Sequence, residues 1–381
     1  MRNICFITSS RADYDLLKPT MERFKNSKKF NLQVIATGSH LSADMGKTID
    51  FIIDDAFEIS KQIKLDNKTS LQSIIKNFGS SIEKFSNALN ALNPEVVVLL
   101  GDRYEIFSAS ISAFLNHIPI VHLHGGELTL DSQDDIFRHC ITKLSTLHFV
   151  SHPDYKKRVI QLGENPSNVF NVGPMALDSL RNLKILSLAN LEKLYNFHFK
   201  DKNVLVTFHP ETNKPDETVN NLKEVLKSLE KYPEVGLLFT GSNMDRLGKK
   251  FNQLIDTFVT NHNNSFKINS MGSRQYLSTL KHVNCVLGNS SSGIIEAPFF
   301  GTPTLNIGLR QEGRVKLKTV FDCEANHETI KKKLNKVFKL NSNKELSNLY
   351  SDIKESPSKV VFNTIKELDF KETTTKRFFD L

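Results

Sequence analysis

Short apolar runs of about five residues alternate with longer stretches of helical period along this chain, and the alternation starts twice. Strands of a parallel sheet are buried on both faces, so they read as nearly continuous apolar runs between amphipathic crossover helices. In the first half, strands are expected at Ile4–Thr8, Leu32–Thr37, Glu95–Leu100, Ile118–Leu123 and Leu147–Val150. The stretch Ser70–Leu92 between them repeats Leu71, Ile74, Ile75, Phe78, Ile82, Phe85 and Leu89 at helical spacing, which marks a core-facing stripe. After Asn171-Val172-Gly173-Pro174 a polar, helical connector runs from Met175 to about Lys202, and the pattern begins again. Its second set of strands is expected at Val204–Phe208, Gly236–Thr240, Ser265–Ile268, Val283–Leu287 and Thr304–Ile307. The fold class is therefore α/β, with two Rossmann-like doubly wound domains over residues 1–174 and 175–356. The last stretch, Lys344–Leu368, again has a helical pattern.

A chain of 381 residues exceeds what one hydrophobic core usually organises, which agrees with two domains. Its 50 basic and 42 acidic residues leave a formal charge of +8 that is spread along the sequence. Runs such as Lys331-Lys332-Lys333 read as solvated helix faces, and no basic, aromatic-interleaved stripe suggests a nucleic-acid partner. The longest apolar runs, such as Val96–Leu100, are far too short to span a bilayer. The start MRNICFITSS lacks the apolar core and cleavage site of a signal peptide, so a cytoplasmic protein is expected. Cys5, Cys140, Cys285 and Cys323 form no CxxC pair and read as reduced, packed thiols. With no GxGxxG, no phosphate-binding GxxxxGK[ST] and no histidine pair at metal-ligand spacing, neither a dinucleotide cofactor nor a metal is expected.

Ligands of open parallel sheets sit beyond the carboxyl ends of the strands, so the residues just after each strand are the informative ones. They are polar here: Ser9-Ser10-Arg11, Gly101-Asp102-Arg103, His124-Gly125-Gly126-Glu127, His209-Pro210-Glu211 and Gly288-Asn289-Ser290-Ser291-Ser292-Gly293. Facing one another, the two halves would line a single cleft. The small residues of 288–293 open a helix whose free backbone donors suit a phosphate, although a serine N-cap alone would look similar. Glu296, one turn on, is placed to accept from ribose hydroxyls. Arg11 offers a planar donor fork and His209 a titratable donor, both suited to a pyrophosphate.

Asp102 reads either as a helix cap or as a catalytic group, and Glu127 follows two glycines that let the backbone approach a ligand closely. Asp134 and Asp135 precede Arg138 and His139 at helical spacing, which is compatible with mere surface ion pairs. Together, carboxylates at one sheet mouth suit general acid/base work, because proximity separates their pKa values. Of His122 and His124, the latter lies past the strand end and is the better site candidate. The remaining histidines, apart from His209 and His139, read as structural.

The segments SSRADYDLLKP (9–19), GDRYE (101–105), HLHGGELT (122–129), DDIFRHCITKLSTLHFV (134–150), NVGP (171–174), TFHPET (207–212) and GNSSSGIIEAPFFGTPTLNIGLRQEGR (288–314) resemble, in order and spacing, the hydrolysing UDP-N-acetylglucosamine 2-epimerases of sialic-acid pathways. The resemblance covers about residues 3 to 320. It implies a glycosyltransferase-B arrangement of two domains about a cleft, a C-terminal helix near 357–375 returning to the first domain, and a homodimer. It also implies hydrolysis of UDP-N-acetylglucosamine to N-acetylmannosamine and UDP, by elimination to a glycal and rehydration, without a redox cofactor. By motif position it makes Asp102, Glu127 and Asp134 the catalytic carboxylates. Arg11, His209, Ser290, Ser291 and Ser292 become nucleotide-phosphate contacts, Asn289 a further substrate contact and Glu296 the ribose contact. Arg314 is expected to close on the phosphates.

Non-hydrolysing epimerases typically carry GTRPE and EAGLRT segments where this chain has SSRAD and GGELT, so hydrolysis is favoured over simple epimerisation. Similar enzymes act on UDP- or GDP-linked 2,4-diacetamido-2,4,6-trideoxyglucose on the way to legionaminic acid, and these motifs do not report the C4 and C6 substituents. The segment Thr129–Gln133 is the guess for that part of the pocket. A glycosyltransferase of the same architecture is the competing class, and release of free sugar without an acceptor separates the two.

Overall fold

A computed structural model describes residues 1–42, 47–65, 71–129, 133–211, 215–241, 246–268, 271–340, 350, 352–370 and 376–381. The chain divides into two compact units: Met1–Ser179 with Ile353–Leu381, and Leu180–Asp352. Each is a Rossmann-like domain, a parallel sheet with alternating helices. Among the described residues, no helix is long and apolar enough to cross a membrane.

The sheet of the first unit is formed by β1 (Arg2–Thr8), β2 (Phe30–Thr37), β3 (Lys61–Ile63), β4 (Val96–Leu100), β5 (Ile120–Leu123), β6 (Leu147–Val150) and β7 (Val169–Asn171). Its order is β3-β2-β1-β4-β5-β6-β7. The second unit has β8 (Asn203–Thr207), β9 (Gly236–Thr240), β10 (Ser265–Ile268), β11 (Cys285–Gly288), β12 (Thr304–Ile307) and β13 (Val320–Cys323), ordered β10-β9-β8-β11-β12-β13. The central strands are mostly apolar, and every residue of β4, Val-Val-Val-Leu-Leu, is buried. Three strands had no counterpart in the apolar pattern, namely β3, β7 and β13, and all three lie at sheet edges. Each buries only one residue, Ile63, Val169 or Cys323, so nothing in them reads as an apolar run.

The connector after Pro174 is two short helices, Ala176–Arg181 and Leu188–Tyr195, rather than one long one. The C-terminal helix is shorter than its pattern suggests, spanning Pro357–Glu367. Residues 344–349, 351 and 371–375 of the two C-terminal expectations lie outside the described residues. The helix stops at Glu367 because the Arg2 guanidinium takes over its last carbonyls, donating to Ile365, Lys366 and Leu368. It packs on the first helix of the same unit, Arg11–Lys25, with the Phe24 and Phe362 rings 4.9 Å apart.

Candidate active site

The carboxyl edge of the first sheet is organised around one buried arginine. Arg138, on the helix Gln133–Leu144, is only 2% exposed. Its Nη1 donates to the Glu127 carbonyl (2.7 Å) and to Asp135 Oδ1 (2.8 Å). Its Nη2 donates to Thr129 Oγ1 (2.9 Å) and to Asp102 Oδ2. Asp135 also accepts the Thr129 N–H at 2.6 Å. Of the ion pairs that the spacing allowed, Asp135 with His139 forms at 3.5 Å, and Arg138 is the centre of a buried hub joining Asp102, the strand-end loop and the helix. A buried guanidinium without partners is costly, so this geometry fixes all three segments together. Beyond Thr129, residues 130–132 of the segment guessed to line the sugar pocket lie outside the described residues.

Glu127 is itself buried. Oε1 accepts from Ser151 Oγ at 2.7 Å and lies 2.8 Å from His124 Nδ1. Asp134 has its pKa raised to about 6, first by burial and then by the negative charge of Asp102. The expected Asp102, Glu127 and Asp134 therefore sit in one charged neighbourhood, set by β4, β5 and the following helix.

Gly126 makes the turn possible: it has φ +77°, and a Cβ there would lie 2.5 Å from the Tyr155 carbonyl. His122 is a strand-interior tie, donating from Nε2 to the Gly101 carbonyl (3.1 Å) and facing Thr142 through Nδ1 (3.2 Å). Burial pushes its pKa down to about 3, so it stays neutral.

Arg11 opens the helix that follows β1 and is more exposed, standing 4.6 Å over the Phe51 ring with Asp15 at 3.7 Å. The loop before it is set by Asp13, whose carboxylate accepts the Ser9, Ser10 and Tyr14 N–H groups, each at 2.8 Å. Ser10 and Asp13 form a reciprocal capping box, a signal visible as a serine followed three residues later by an acid.

In the second unit the ends of β8 and β11 are locked to each other. Asn289 accepts the His209 N–H through Oδ1 (2.7 Å) and donates Nδ2 to the His209 carbonyl (2.8 Å). It is wholly buried, so its amide positions His209 instead of facing solvent as a substrate contact. Burial, and then Arg310, push the His209 pKa down to about 4. Gly288 is required by the same packing, since a Cβ would lie 1.9 Å from the Thr207 carbonyl.

Ser290, Ser291 and Ser292 follow, half-buried, and the helix they open, Ser292–Ile295, is a single turn. So short a helix has little macrodipole, which leaves side chains to carry any anion binding. Two arginines supply them. Arg310, which sequence reading passed over in favour of Arg314, donates from Nη1 to the Asn289 carbonyl at 2.8 Å. Burial and the nearby Arg314 lower its pKa.

Glu296 is half-buried at the end of the short helix, with the buried Tyr276 hydroxyl facing it. Burial pushes the Tyr276 pKa up to about 12. Nothing in the sequence distinguished Tyr276 from a core aromatic. A separate cavity of about 660 Å³ beyond β12 and β13 is lined by Glu211, Glu217, Glu312, Asp322 and Glu324 against Lys316 and Lys333. Its charge disfavours a diphosphate, whereas the neighbourhood of His209, Arg310 and Arg314 favours one.

Residues 22–361 match the family model for UDP-N-acetylglucosamine 2-epimerase. The chain belongs to that family. Over its full length it is 39% identical to a Campylobacter jejuni protein, 99% covered, named GDP/UDP-N,N'-diacetylbacillosamine 2-epimerase (hydrolyzing). It is 32% identical to the UDP-N,N'-diacetylbacillosamine 2-epimerase (hydrolyzing) of Legionella pneumophila, over 93% of this chain and 94% of that one. The fold is also that of the Neisseria meningitidis UDP-GlcNAc 2-epimerase solved with UDP-GlcNAc. The two superpose with a TM-score of 0.76 at 17% identity, covering 96% of this chain and 100% of that one. The family places this chain among epimerases of nucleotide sugars, and both named relatives are hydrolysing ones.

Proposed function

We propose that this chain is a hydrolysing 2-epimerase of nucleotide-linked N,N'-diacetylbacillosamine, releasing the free 2-epimeric sugar and the nucleoside diphosphate. The observation that carries this reading is full-length similarity to a hydrolysing enzyme of that substrate, combined with carboxylates gathered on Arg138. In the first half-reaction a base removes the C2 proton while the C1–O bond breaks and its electron pair leaves with the diphosphate. In the second, water adds at C1 and C2 is reprotonated on the opposite face.

Two faces of C2 and the water need separate groups, so one carboxylate cannot serve every step. Asp102, Glu127 and Asp134 are assigned these transfers. With its pKa raised to about 6, Asp134 holds a proton closer to neutrality than an ordinary carboxyl, which suits the acid role. Arg11, His209, Arg310, Arg314 and the hydroxyls of Ser290, Ser291 and Ser292 are assigned to the diphosphate, and Glu296 to the ribose. A neutral His209 donates to a phosphate oxygen without needing protonation.

UDP-N-acetylglucosamine is the second reading, favoured by the description of the family whose model spans residues 22–361. Incubation in D2O with each candidate, followed by proton NMR, tests both. The diacetylated substrate should yield nucleoside diphosphate and free sugar deuterated at C2, at a rate at least ~100-fold above UDP-N-acetylglucosamine. Faster turnover of UDP-N-acetylglucosamine would transfer the assignment to the second reading. Epimerised sugar still attached to nucleotide would exclude hydrolysis.

A further inference from the structure

We infer that His124 is a positioning residue for Glu127, fixed as the tautomer that presents its Nδ1–H to the Glu127 carboxylate. The inference rests on the reading of Glu127 as a proton-transfer group. Three observations carry it. The imidazole is buried at the end of β5, and its backbone N–H donates to the Phe149 carbonyl at 2.8 Å, which pins the residue to β6. On the far side of the ring, the Met175 N–H donates to Nε2 at 3.1 Å. A backbone N–H can only donate, so Nε2 is the bare nitrogen and the ring proton resides on Nδ1. That nitrogen lies 2.8 Å from Glu127 Oε1, the oxygen to which Ser151 Oγ donates at 2.7 Å.

The residue also holds a left-handed backbone, with φ +65°, an uncommon conformation for any side chain but glycine. The chain is therefore turned sharply at this position while carrying a large ring. Gly125 and Gly126 follow directly and complete the turn that brings Glu127 back under the imidazole. With Ser151 Oγ and His124 Nδ1 both at Oε1, the carboxylate is fixed in rotation. The tautomer in turn depends on Met175, just after the Val172-Gly173-Pro174 turn, so this loop sets the side-chain chemistry of Glu127 through the ring.

The test compares His124→Gly, His124→Asn and His124→Asp with Glu127→Gln, in the full chain, under the D2O assay. Glycine removes the ring and tolerates the positive φ; asparagine and aspartate also tolerate it, the first offering a donor and the second only a further negative charge. Expected is a fall in kcat of at least ~30-fold for His124→Gly with KM within ~3-fold, recovered at least ~10-fold by added imidazole. His124→Asn should stay within ~5-fold of the parent, and His124→Asp should fall as far as the glycine variant. If the glycine variant does not fold, the asparagine–aspartate pair decides alone.

A folded His124→Gly with near-parental kcat overturns the inference, as does equal loss in the asparagine and aspartate variants without imidazole rescue. Both results leave the Glu127 reading standing when Glu127→Gln is inactive. Normal turnover by Glu127→Gln instead removes that reading, and the inference with it.

Discussion

The two sheets end in opposite electrostatics. At the carboxyl edge of the first, carboxylates gather and are held by protein partners: Arg138 pairs with Asp102 and Asp135, and His124 and Ser151 contact Glu127. At the corresponding edge of the second, Arg314 lies near enough to Arg310 to add to the lowering of its pKa by burial, beside a His209 kept neutral by burial. A cluster of held carboxylates fixes geometry and tunes proton affinity without a ligand; adjacent arginines gain a complement from an anionic one. We therefore assign proton chemistry to the first edge and, Arg11 apart, anion holding to the second.

Breaking the hub should have the largest effect. Arg138→Met removes the guanidinium from the half-buried Asp102 and Asp135, which lowers stability and, in the folded fraction, costs at least ~1000-fold in turnover. Urea unfolding and single-turnover kinetics measure the two separately. On the second edge, Arg310→Ala should raise KM about 30-fold while changing kcat by less than ~5-fold. A large kcat loss there would blur the contrast between the edges. Asn289→Ala frees the His209 segment without removing a charge, so its KM should rise only about 5-fold.

The smallest effect is on stability. Folding raises the Asp134 pKa from its usual 3.8 to about 6, so the native state binds this proton more tightly than the unfolded chain. Its ionised form opposes folding above pH 6, and the penalty vanishes below about pH 4, where both states are protonated. Asp134→Asn should thus melt higher than the parent at pH 8, with the gap closing towards pH 4. A gap that widens on acidification would mean that the carboxylate is stabilised, not strained.

Much of the fold was legible because central strands of a parallel sheet carry their burial in every residue, as β4 does. The edge strands β3, β7 and β13 were not, since each is only three or four residues long and buries a single one. The carboxylates were legible by position after strands and by family resemblance. The arginine that joins them was not: Asp135 and Arg138 look like ordinary i,i+3 helix neighbours until the burial of Arg138 and its long-range contact with Asp102 are seen. Arg310 and Arg314 are likewise equivalent on paper, and only the bond from Arg310 to the Asn289 carbonyl separates them. Tertiary partners of a polar side chain leave no period in the sequence, whereas a strand's burial does.

The contrast between the edges is tested most directly by calorimetric titration of UDP and GDP into the parent, Asp102→Asn, Glu127→Gln and Arg310→Ala proteins. With the preferred nucleotide, both carboxylate variants should bind within ~3-fold of the parent although turnover is lost, while Arg310→Ala binds at least ~10-fold more weakly. Nucleotide binding lost in the carboxylate variants, or retained in Arg310→Ala, would contradict the division of labour proposed for the two sheets.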